Sequence, residues 1–202
     1  MRQTLFAALL ILTLPLTACA AGDDQDISPL LDSLRESDIA CEAEVTAVTD
    51  GEENTFTLAC ADSDGGYRLT VLAPERIAGV EASVGADLTV SFDGLVLPLP
   101  LDESRPSAVT ALPALLSALR GAHLDLVWRE GEYRIAQFLP RDDLALRVWL
   151  SPEDAPVYAE LIENGTTAVR CTVTSWNIKT KEVPYESDNP NLGGDQSRHP
   201  GA

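Results

Sequence analysis

The cysteine and histidine side chains are the first candidates for chemistry in this 202-residue sequence. The four cysteines are Cys19, Cys41, Cys60 and Cys171, and the two histidines are His123 and His199. Neither histidine has a second histidine or a cysteine at the spacing of a metal-ligand pair, so we expect no metal site. Cys171 has no histidine close to it in the sequence that would activate its thiol as a nucleophile.

Paired carboxylates are the second candidates, and they occur at Asp142-Asp143 and Glu153-Asp154. Both pairs stand close to prolines in segments typical of turns, where solvated acidic side chains are common. The sequence contains no G-x-S-x-G nucleophile motif and no glycine-rich phosphate loop. We therefore expect a protein that is not an enzyme and that uses no cofactor.

Cys19 stands in a different setting, because a segment typical of an export signal precedes it. Arg2 supplies a positive charge, residues 5–16 form an apolar stretch too short to span a bilayer, and Leu16-Thr17-Ala18-Cys19 follows. This ending resembles the lipobox of bacterial lipoproteins, in which the cysteine is acylated and the chain is cut just before it. The resemblance implies a signal peptide over residues 1–18 and acyl chains such as palmitate on Cys19, which would anchor the protein to a membrane. The alternative is a plain secretory signal whose cleavage region contains a cysteine.

The charge of the chain argues against one large class of partners. Asp and Glu number 32 against 14 Lys and Arg, which gives a formal net charge of −18. Nucleic-acid binding needs a basic stripe that replaces counterions, so we expect no nucleic-acid partner. An acidic surface also repels anionic headgroups, and we expect the lipid on Cys19 to hold the domain at the membrane.

Composition divides the chain into one domain and its flanks. We expect residues 19–27 to form a short lipidated tether, residues 28–178 a single domain, and residues 179–202 a disordered C-terminal tail. Ser28 followed by Pro29 predicts the N-cap and the first residue of a short helix, which ends near Ser37-Asp38.

From Ile39 onward the hydrophobic pattern changes from helical spacing to alternation, as in the run Leu88, Val90 and Phe92. Alternation predicts antiparallel strands with one wet and one dry face. Tight turns between the strands are expected at Asp50-Gly51, Gly65-Gly66, Asp93-Gly94, Glu130-Gly131 and Asn164-Gly165. The later strands are expected over residues 123–129, 132–139, 144–151, 156–163 and 166–176.

Residues 104–121 interrupt the strands with leucines at helical spacing, which predicts a central helix. Gly121 is expected to cap its C-terminus, and Pro113 to kink the helix or restrict it to its C-terminal part. The elements together predict an α+β fold: an antiparallel, unclosed β-barrel of about ten strands, with a short N-terminal helix and the central helix over its concave face.

The apolar side chains between helix and sheet allow two interpretations. They either fill an ordinary two-layer core or leave an apolar pocket for an acyl chain or a lipidated partner. The residues expected to line such a pocket are Tyr67, Leu69, Val90, Phe92, Leu112, Leu115, Leu116 and Leu119.

The turn at Asp50-Gly51 also predicts how the thiols are arranged. In a hairpin with this two-residue loop, facing residues have numbers that sum to 101, as those of Cys41 and Cys60 do. We favour a disulfide between them, although they fall at a hydrogen-bonded position, where facing residues lie farther apart. Cys171 is then a free thiol, or a rival partner if the last strand returns beside the first. Three reduced thiols are the remaining alternative.

The lipobox, the first helix and the strands CEAEVTAV and NTFTLACA are followed by Tyr67-Arg68-Leu69-Thr70-Val71, Pro74-Glu75 and Gly79-Val80. Over residues 28–178 this sequence resembles the lipoprotein-carrier superfamily, and its strand and turns at 67–80 are similar to uncharacterised lipoproteins of Gram-positive anaerobes. The resemblance implies an unclosed β-barrel with helices over the concave face, where several members bind lipids or acyl chains. The lipid anchor departs from the soluble carrier of that group and favours a fixed receptor, chaperone or scaffold over a shuttle.

We therefore expect a non-enzymatic, lipid-anchored protein of the cell envelope, on the extracytoplasmic side, that binds a hydrophobic ligand or a lipoprotein segment in its half-barrel. The alternative is a scaffold with a filled core that acts through protein–protein contacts, as in sporulation or germination complexes. Its expected partners are the membrane, through the lipid, and a lipid or lipoprotein ligand.

The substitution Cys19→Ser tests the lipobox, because serine has no thiol that can be acylated. The variant is expected to remain unprocessed or to leave the membrane fraction, and to lose radiolabelled palmitate. The measurement is fractionation with gel mobility, and the wild-type chain is the control. Normal processing together with unchanged membrane partitioning would contradict lipidation at Cys19.

Overall fold

The computed structural model describes residues 26–49, 51–101 and 105–180. The expected signal peptide, Cys19 and residues 181–202 of the expected tail lie outside the described residues, as does Asp50 of the first turn. Within the described ranges, no helix is both long and apolar enough to cross a membrane.

The described residues form two helices and eleven strands. The helices are α1 (Ser28–Arg35) and α2 (Ala108–Gly121). The strands are β1 (Ser37–Thr49), β2 (Glu52–Ser63), β3 (Gly66–Ala73), β4 (Glu81–Val84), β5 (Leu88–Phe92), β6 (Leu95–Leu99), β7 (His123–Glu130), β8 (Tyr133–Arg141), β9 (Leu144–Leu150), β10 (Pro156–Glu163) and β11 (Thr166–Thr180). A 3₁₀ turn (Glu75–Ile77) joins β3 to β4.

All eleven strands form one antiparallel, unclosed sheet in the order β6-β5-β4-β3-β2-β1-β11-β10-β9-β8-β7. The expected fold class is thus confirmed, with one strand more than the expected number of about ten. The alternation of polar and apolar residues does not predict strand β6, because its sequence LVLPL has no polar residue and contains a proline. The chain runs outward from β1 to the edge strand β6, restarts at the opposite edge with β7, and returns to the centre, where β11 pairs with β1.

Helix α2 connects the two edges of the sheet and therefore crosses its concave face. It packs chiefly against β1, β2, β4, β11 and α1. Its stripe of leucines is fully buried, as are the alternating residues of β1 and β9 that face it. The core lies between this helix and the concave face of the sheet.

The central helix runs without interruption from Ala108 to Gly121, and it is therefore longer than the helix expected from the position of Pro113. A capping box fixes its first turn: the Ser107 side chain accepts from the Thr110 N–H at 3.3 Å, and the Thr110 hydroxyl accepts from the Ser107 N–H at 3.0 Å. Pro113 follows this turn, so the loss of its own N–H removes one helical hydrogen bond without ending the helix. Gly121 is the last helical residue, and Ala122 occupies the C-cap position instead.

The N-terminal helix is shorter than expected and has a different cap. Ile27 is its N-cap residue and Pro29 its second helical residue, and the helix ends at Arg35. The carboxylate of Asp26 accepts a hydrogen bond from the Ser28 N–H at 2.9 Å, and thus takes the capping role expected of Ser28. Ile27 is 1% exposed and belongs to the core.

The predicted register of the first hairpin is confirmed, since Cys41 faces Cys60 and every β1–β2 pair from Ala40–Ala61 to Thr49–Glu52 follows the same rule. Both thiols are nevertheless free and buried, which corrects the expectation of a disulfide. The wider spacing of a hydrogen-bonded pair accounts for this difference. The hydrogen bond with Cys41, and then burial, raises the pKa of Cys60 above its ordinary value.

The last strand does return beside the first, but its register separates Cys171 from the other two thiols. Cys171 faces Val45, whereas Cys41 faces Trp176. Cys171 is a free thiol, and burial raises its pKa to about 12. A protonated, buried thiol is a poor nucleophile.

Arg120, near the C-terminal end of α2, connects both helices to the sheet through hydrogen bonds. Its guanidinium donates to the Asp62 carboxylate at 2.6 and 2.5 Å, and to the carbonyl oxygens of Leu34 at 3.2 Å and Ser37 at 2.8 Å. The same carboxylate accepts from the Ile39 N–H at 2.5 Å. The Arg120 and Asp62 side chains are only 19% and 17% exposed, and their hydrogen bonds raise the pKa of Arg120 above its usual range.

The substitution Arg120→Met keeps the aliphatic stem but leaves the Asp62 carboxylate and two carbonyl groups without this donor. Breaking a largely buried pair by removing one partner is expected to lower the free energy of unfolding by about 3 kcal/mol. The control is Arg170→Met, because the Arg170–Glu53 pair is 43% and 61% exposed, and we expect a loss below about 1 kcal/mol. Urea unfolding measures both variants, and equal losses would contradict a special role for Arg120.

Candidate functional site

The hairpin of β5 and β6 carries the most exposed apolar side chains of the concave face. Asp93 and Gly94 form its turn, with φ values of 48° and 79°. The register pairs Leu88 with Leu99, Val90 with Leu97, and Phe92 with Leu95. Because Leu88 is buried and Val90 packs against the core, these three pairs lie on the concave side of the sheet.

Four side chains of these pairs are open to solvent although they face the same side as the core. Their exposed fractions are 51% for Phe92, 68% for Leu95, 57% for Leu97 and 44% for Leu99. Helix α2 packs chiefly on β1, β2, β4 and β11 and so leaves these side chains uncovered. We call this set, Phe92, Leu95, Leu97 and Leu99, the apolar lip.

A proline limits what the edge strand β6 can do through its backbone. Pro98 faces Thr89, which the register from the turn places at a position without β5–β6 hydrogen bonds. At such a position the backbone of an edge strand points outward, and Pro98 has no N–H to offer there. Addition of another strand to this edge is therefore disfavoured, and the lip presents side chains and not a backbone ladder.

An apolar cavity adjoins the lip. Its volume is about 220 Å³, and it lies between strands β2–β5, the 3₁₀ turn and the first turn of α2. Its lining residues are all apolar: Phe56, Leu58, Leu69, Val71, Ile77, Val80, Ala82, Val90, Ala108 and Val109. Val90 lines the cavity and pairs with Leu97 of the lip, so cavity and lip form one apolar surface, which we call the apolar cleft.

A second cavity, of about 460 Å³, opens between α2, the β3–β4 end of the sheet and the β8–β9 turn; we call it the mouth cavity. Its apolar walls include Val84, Leu101, Pro113, Leu144 and Leu161. Its polar side chains are Tyr67, Arg105, Thr110, Ser117 and Arg141. A cavity of this size with apolar walls and a few polar groups has the make-up of a small-molecule site.

Hydrogen bonds and charge give the mouth cavity its chemical character. The hydroxyls of Tyr67 and Ser117 are 2.9 Å apart and share a hydrogen bond. Arg141 donates from Nε to Asp143 at 2.8 Å, and this bond lowers the pKa of the Asp143 carboxyl below its usual value. Among the described residues that line the cavity, the charged side chains are those of the two arginines.

The eight residues expected to line a pocket are distributed over four places. Leu69 and Val90 line the apolar cavity, Tyr67 lines the mouth cavity, and Phe92 belongs to the lip. The central leucines are 0% exposed and line neither cavity; they are Leu112, Leu115, Leu116 and Leu119. The centre of α2 is thus filled core, and open space remains beside its first turn and along one side.

Several lining residues were not anticipated from the sequence. Ile77 ends the 3₁₀ turn and Val80 follows it, in a segment without a periodic hydrophobic pattern. Ala108 and Val109 belong to the first turn of α2, which Pro113 made hard to predict. The sequence does contain a pattern that could have predicted the lip, because LVLPLPL follows the turn Asp93-Gly94 and contains no polar residue. A run of this kind is either buried on both faces or an exposed apolar surface.

A third cavity, at one end of the sheet, is lined by acidic side chains. This open cavity of about 660 Å³ at the ends of β1, β2 and β11 is lined by Asp38, Asp62, Asp64 and Lys179, among others. Asp62 in this cavity is already bound to Arg120. In the part of the chain that the structure describes, no group of three or more His, Cys, Asp or Glu side chains is arranged to hold a metal ion.

Solved structures that are similar to this chain have low sequence identity to it, as three examples show. A domain from Vibrio parahaemolyticus, provisionally assigned to outer membrane lipoprotein sorting, is 11% identical, with a TM-score of 0.43 over 76% of this chain and 91% of that one. An uncharacterised conserved protein from Thermus thermophilus is 10% identical, with a TM-score of 0.44 over 79% and 90%. A LolA superfamily protein from Nitrosomonas europaea is 11% identical, with a TM-score of 0.42 over 77% and 94%. No protein-family model and no curated protein matches the sequence.

Proposed function

We propose that this protein is a non-enzymatic, lipid-anchored component of the cell envelope that binds a lipid, an acyl chain or the lipidated segment of another protein in the apolar cleft. The observation that carries the proposal is the continuity between a wholly apolar cavity and the exposed lip. Soluble proteins rarely expose large contiguous apolar patches unless a partner or ligand covers them.

The dimensions of the cleft favour a long, thin ligand. The enclosed part is about 220 Å³, whereas compact ligands occupy pockets of about 300–1,000 Å³. An acyl chain can fill the enclosed part and continue over Leu97 and Leu95 of the lip. Each methylene that leaves water contributes about 0.8 kcal/mol, so a chain of modest length offsets the loss of its freedom.

The envelope location rests on the sequence. Acylation of Cys19 would fix the domain close to a membrane, where acyl-chain ligands are plentiful, and the high negative charge would keep the body of the domain off anionic headgroups. The similarity to lipoproteins of Gram-positive anaerobes stays a prediction.

A scaffold is the second candidate, and the filled core beneath the centre of α2 favours it. In that case the lip would be covered by an apolar surface of another protein. The two functions differ in one observable, the uptake of an acyl chain by the isolated protein.

Uptake of a fluorescent fatty acid by the purified full-length chain tests the proposal. Leu97→Asp places a charge in the lip and is expected to weaken binding at least about tenfold, because the chain would have to desolvate a carboxylate. Leu97 is 57% exposed, so the variant is expected to stay folded, as circular dichroism would verify.

The matched control is Leu126→Asp. Leu126 is a leucine of nearly equal exposure, 55%, on the opposite edge strand β7, and it lines neither cavity. Its substitution is expected to leave binding unchanged. No uptake by the wild-type chain would contradict ligand binding and favour the scaffold, and equal effects of both substitutions would contradict the cleft as the site.

A further inference from the structure

The mouth cavity and the apolar cleft adjoin along two strands. On β3, Tyr67 of the mouth cavity and Leu69 of the cleft are two residues apart and lie on the same face. On β4, Val84 and Ala82 stand in the same relation. Residues two apart on a strand are separated by about 7 Å, so the walls of the two cavities follow each other along β3 and β4.

The charge of the mouth cavity is opposite to that of the protein. The chain carries 32 acidic against 14 Lys and Arg side chains, yet Arg105 and Arg141 are the charged side chains among the described residues that line this cavity. Guanidinium groups bind carboxylate and phosphate through paired, charge-assisted hydrogen bonds. The Tyr67, Ser117 and Thr110 hydroxyls add neutral donors to the same wall.

Both arginine side chains line the open space of the mouth cavity. Arg105 is exposed and has no ion-pair partner among the described residues. Arg141 bonds Asp143, but the two side chains are 31% and 47% exposed, and a pair in that setting contributes at most about 1 kcal/mol.

We propose that the ligand is an anionic amphiphile, whose chain occupies the apolar cleft and whose carboxylate or phosphate headgroup lies between Arg105 and Arg141 in the mouth cavity. This inference rests on the proposed function, because it assigns the headgroup of a ligand whose chain binds in the cleft. Since the rest of the surface is acidic, the cavity selects the anion by local and not by overall charge.

Displacement of a bound fluorescent fatty acid from the full-length chain by three ten-carbon compounds tests this inference. Decanoate, decyl phosphate and decanol have ten carbon atoms each and differ in headgroup. The carboxyl carbon is one of the ten in decanoate, so its alkyl chain is one carbon shorter and any tighter binding comes from the headgroup. The anionic compounds are expected to bind about tenfold more tightly than decanol, because a tenfold difference in affinity is what hydrogen bonds to a charged group contribute. The ratio of decanoate to decyl phosphate distinguishes a fatty acid from a phospholipid as the natural source of the headgroup.

Arg105→Gln and Arg141→Gln are each expected to reduce the preference for the anions several-fold while leaving the affinity for decanol unchanged. The control is Arg68→Gln, because Arg68 is an exposed arginine next to Tyr67 on the opposite face of β3. It removes the same charge from the protein and is expected to change no affinity. The preference should also shrink at high salt, since exposed charges are screened.

The outcomes separate the two proposals. Equal binding of all three compounds, with no effect of the arginine substitutions, would overturn the anionic headgroup and leave the cleft as a site for neutral chains. Failure of the wild-type chain to bind the fluorescent fatty acid would overturn the proposed function itself, and this inference with it. A bound probe that none of the three compounds displaces would overturn this inference alone.

Discussion

The length of α2 limits how much of the concave face can be covered. The helix has 14 residues and, at about 1.5 Å per residue, spans about 21 Å. Eleven strands spaced by about 4.8 Å form a sheet about 48 Å wide along its arc. Even with strong curvature, one helix of this length shields the central strands and leaves part of the face uncovered. The chain has to cross in this way because its two halves end and begin at opposite edges of the sheet.

The uncovered part falls on one side because α2 is held at its C-terminal end. Arg120 bonds Asp62, Leu34 and Ser37, and thereby fixes that end of the helix against α1, β1 and β2. On the other half of the sheet, the alternating residues of β9 are buried from Leu144 to Leu150. Open space remains beside the first turn of α2 and over β5 and β6, where the apolar cavity and the lip lie. One anchor and one short helix thus explain why the same concave face is packed core in its centre and an open apolar surface at its edge.

Much of the fold was predictable because each half of the sheet is a meander of alternating strands joined by tight turns. The β1–β2 register followed from the turn at Asp50-Gly51, and the central helix from the leucine spacing. The register placed Cys41 opposite Cys60, but register alone does not determine whether two facing cysteines form a disulfide, and these two are free thiols. Pro113 suggested a kinked or shortened helix because helix propensities do not include the capping box of Ser107 and Thr110, which starts the helix before the proline. The candidate site was harder to predict than the fold. A cavity forms where the helix leaves apolar side chains uncovered, and the hydrophobic periodicity of the sequence does not show which side chains those are.

The most direct test of the claim that the concave face binds an acyl chain is a methyl NMR titration of the protein with decanoate. We predict shifts confined to methyl groups of the apolar cleft, such as those of Val71, Val90 and Leu97, while the methyls of the buried leucines under the centre of α2 change little. Saturable shifts centred on Leu126 at the opposite edge, or no saturable shifts at all, would contradict the account.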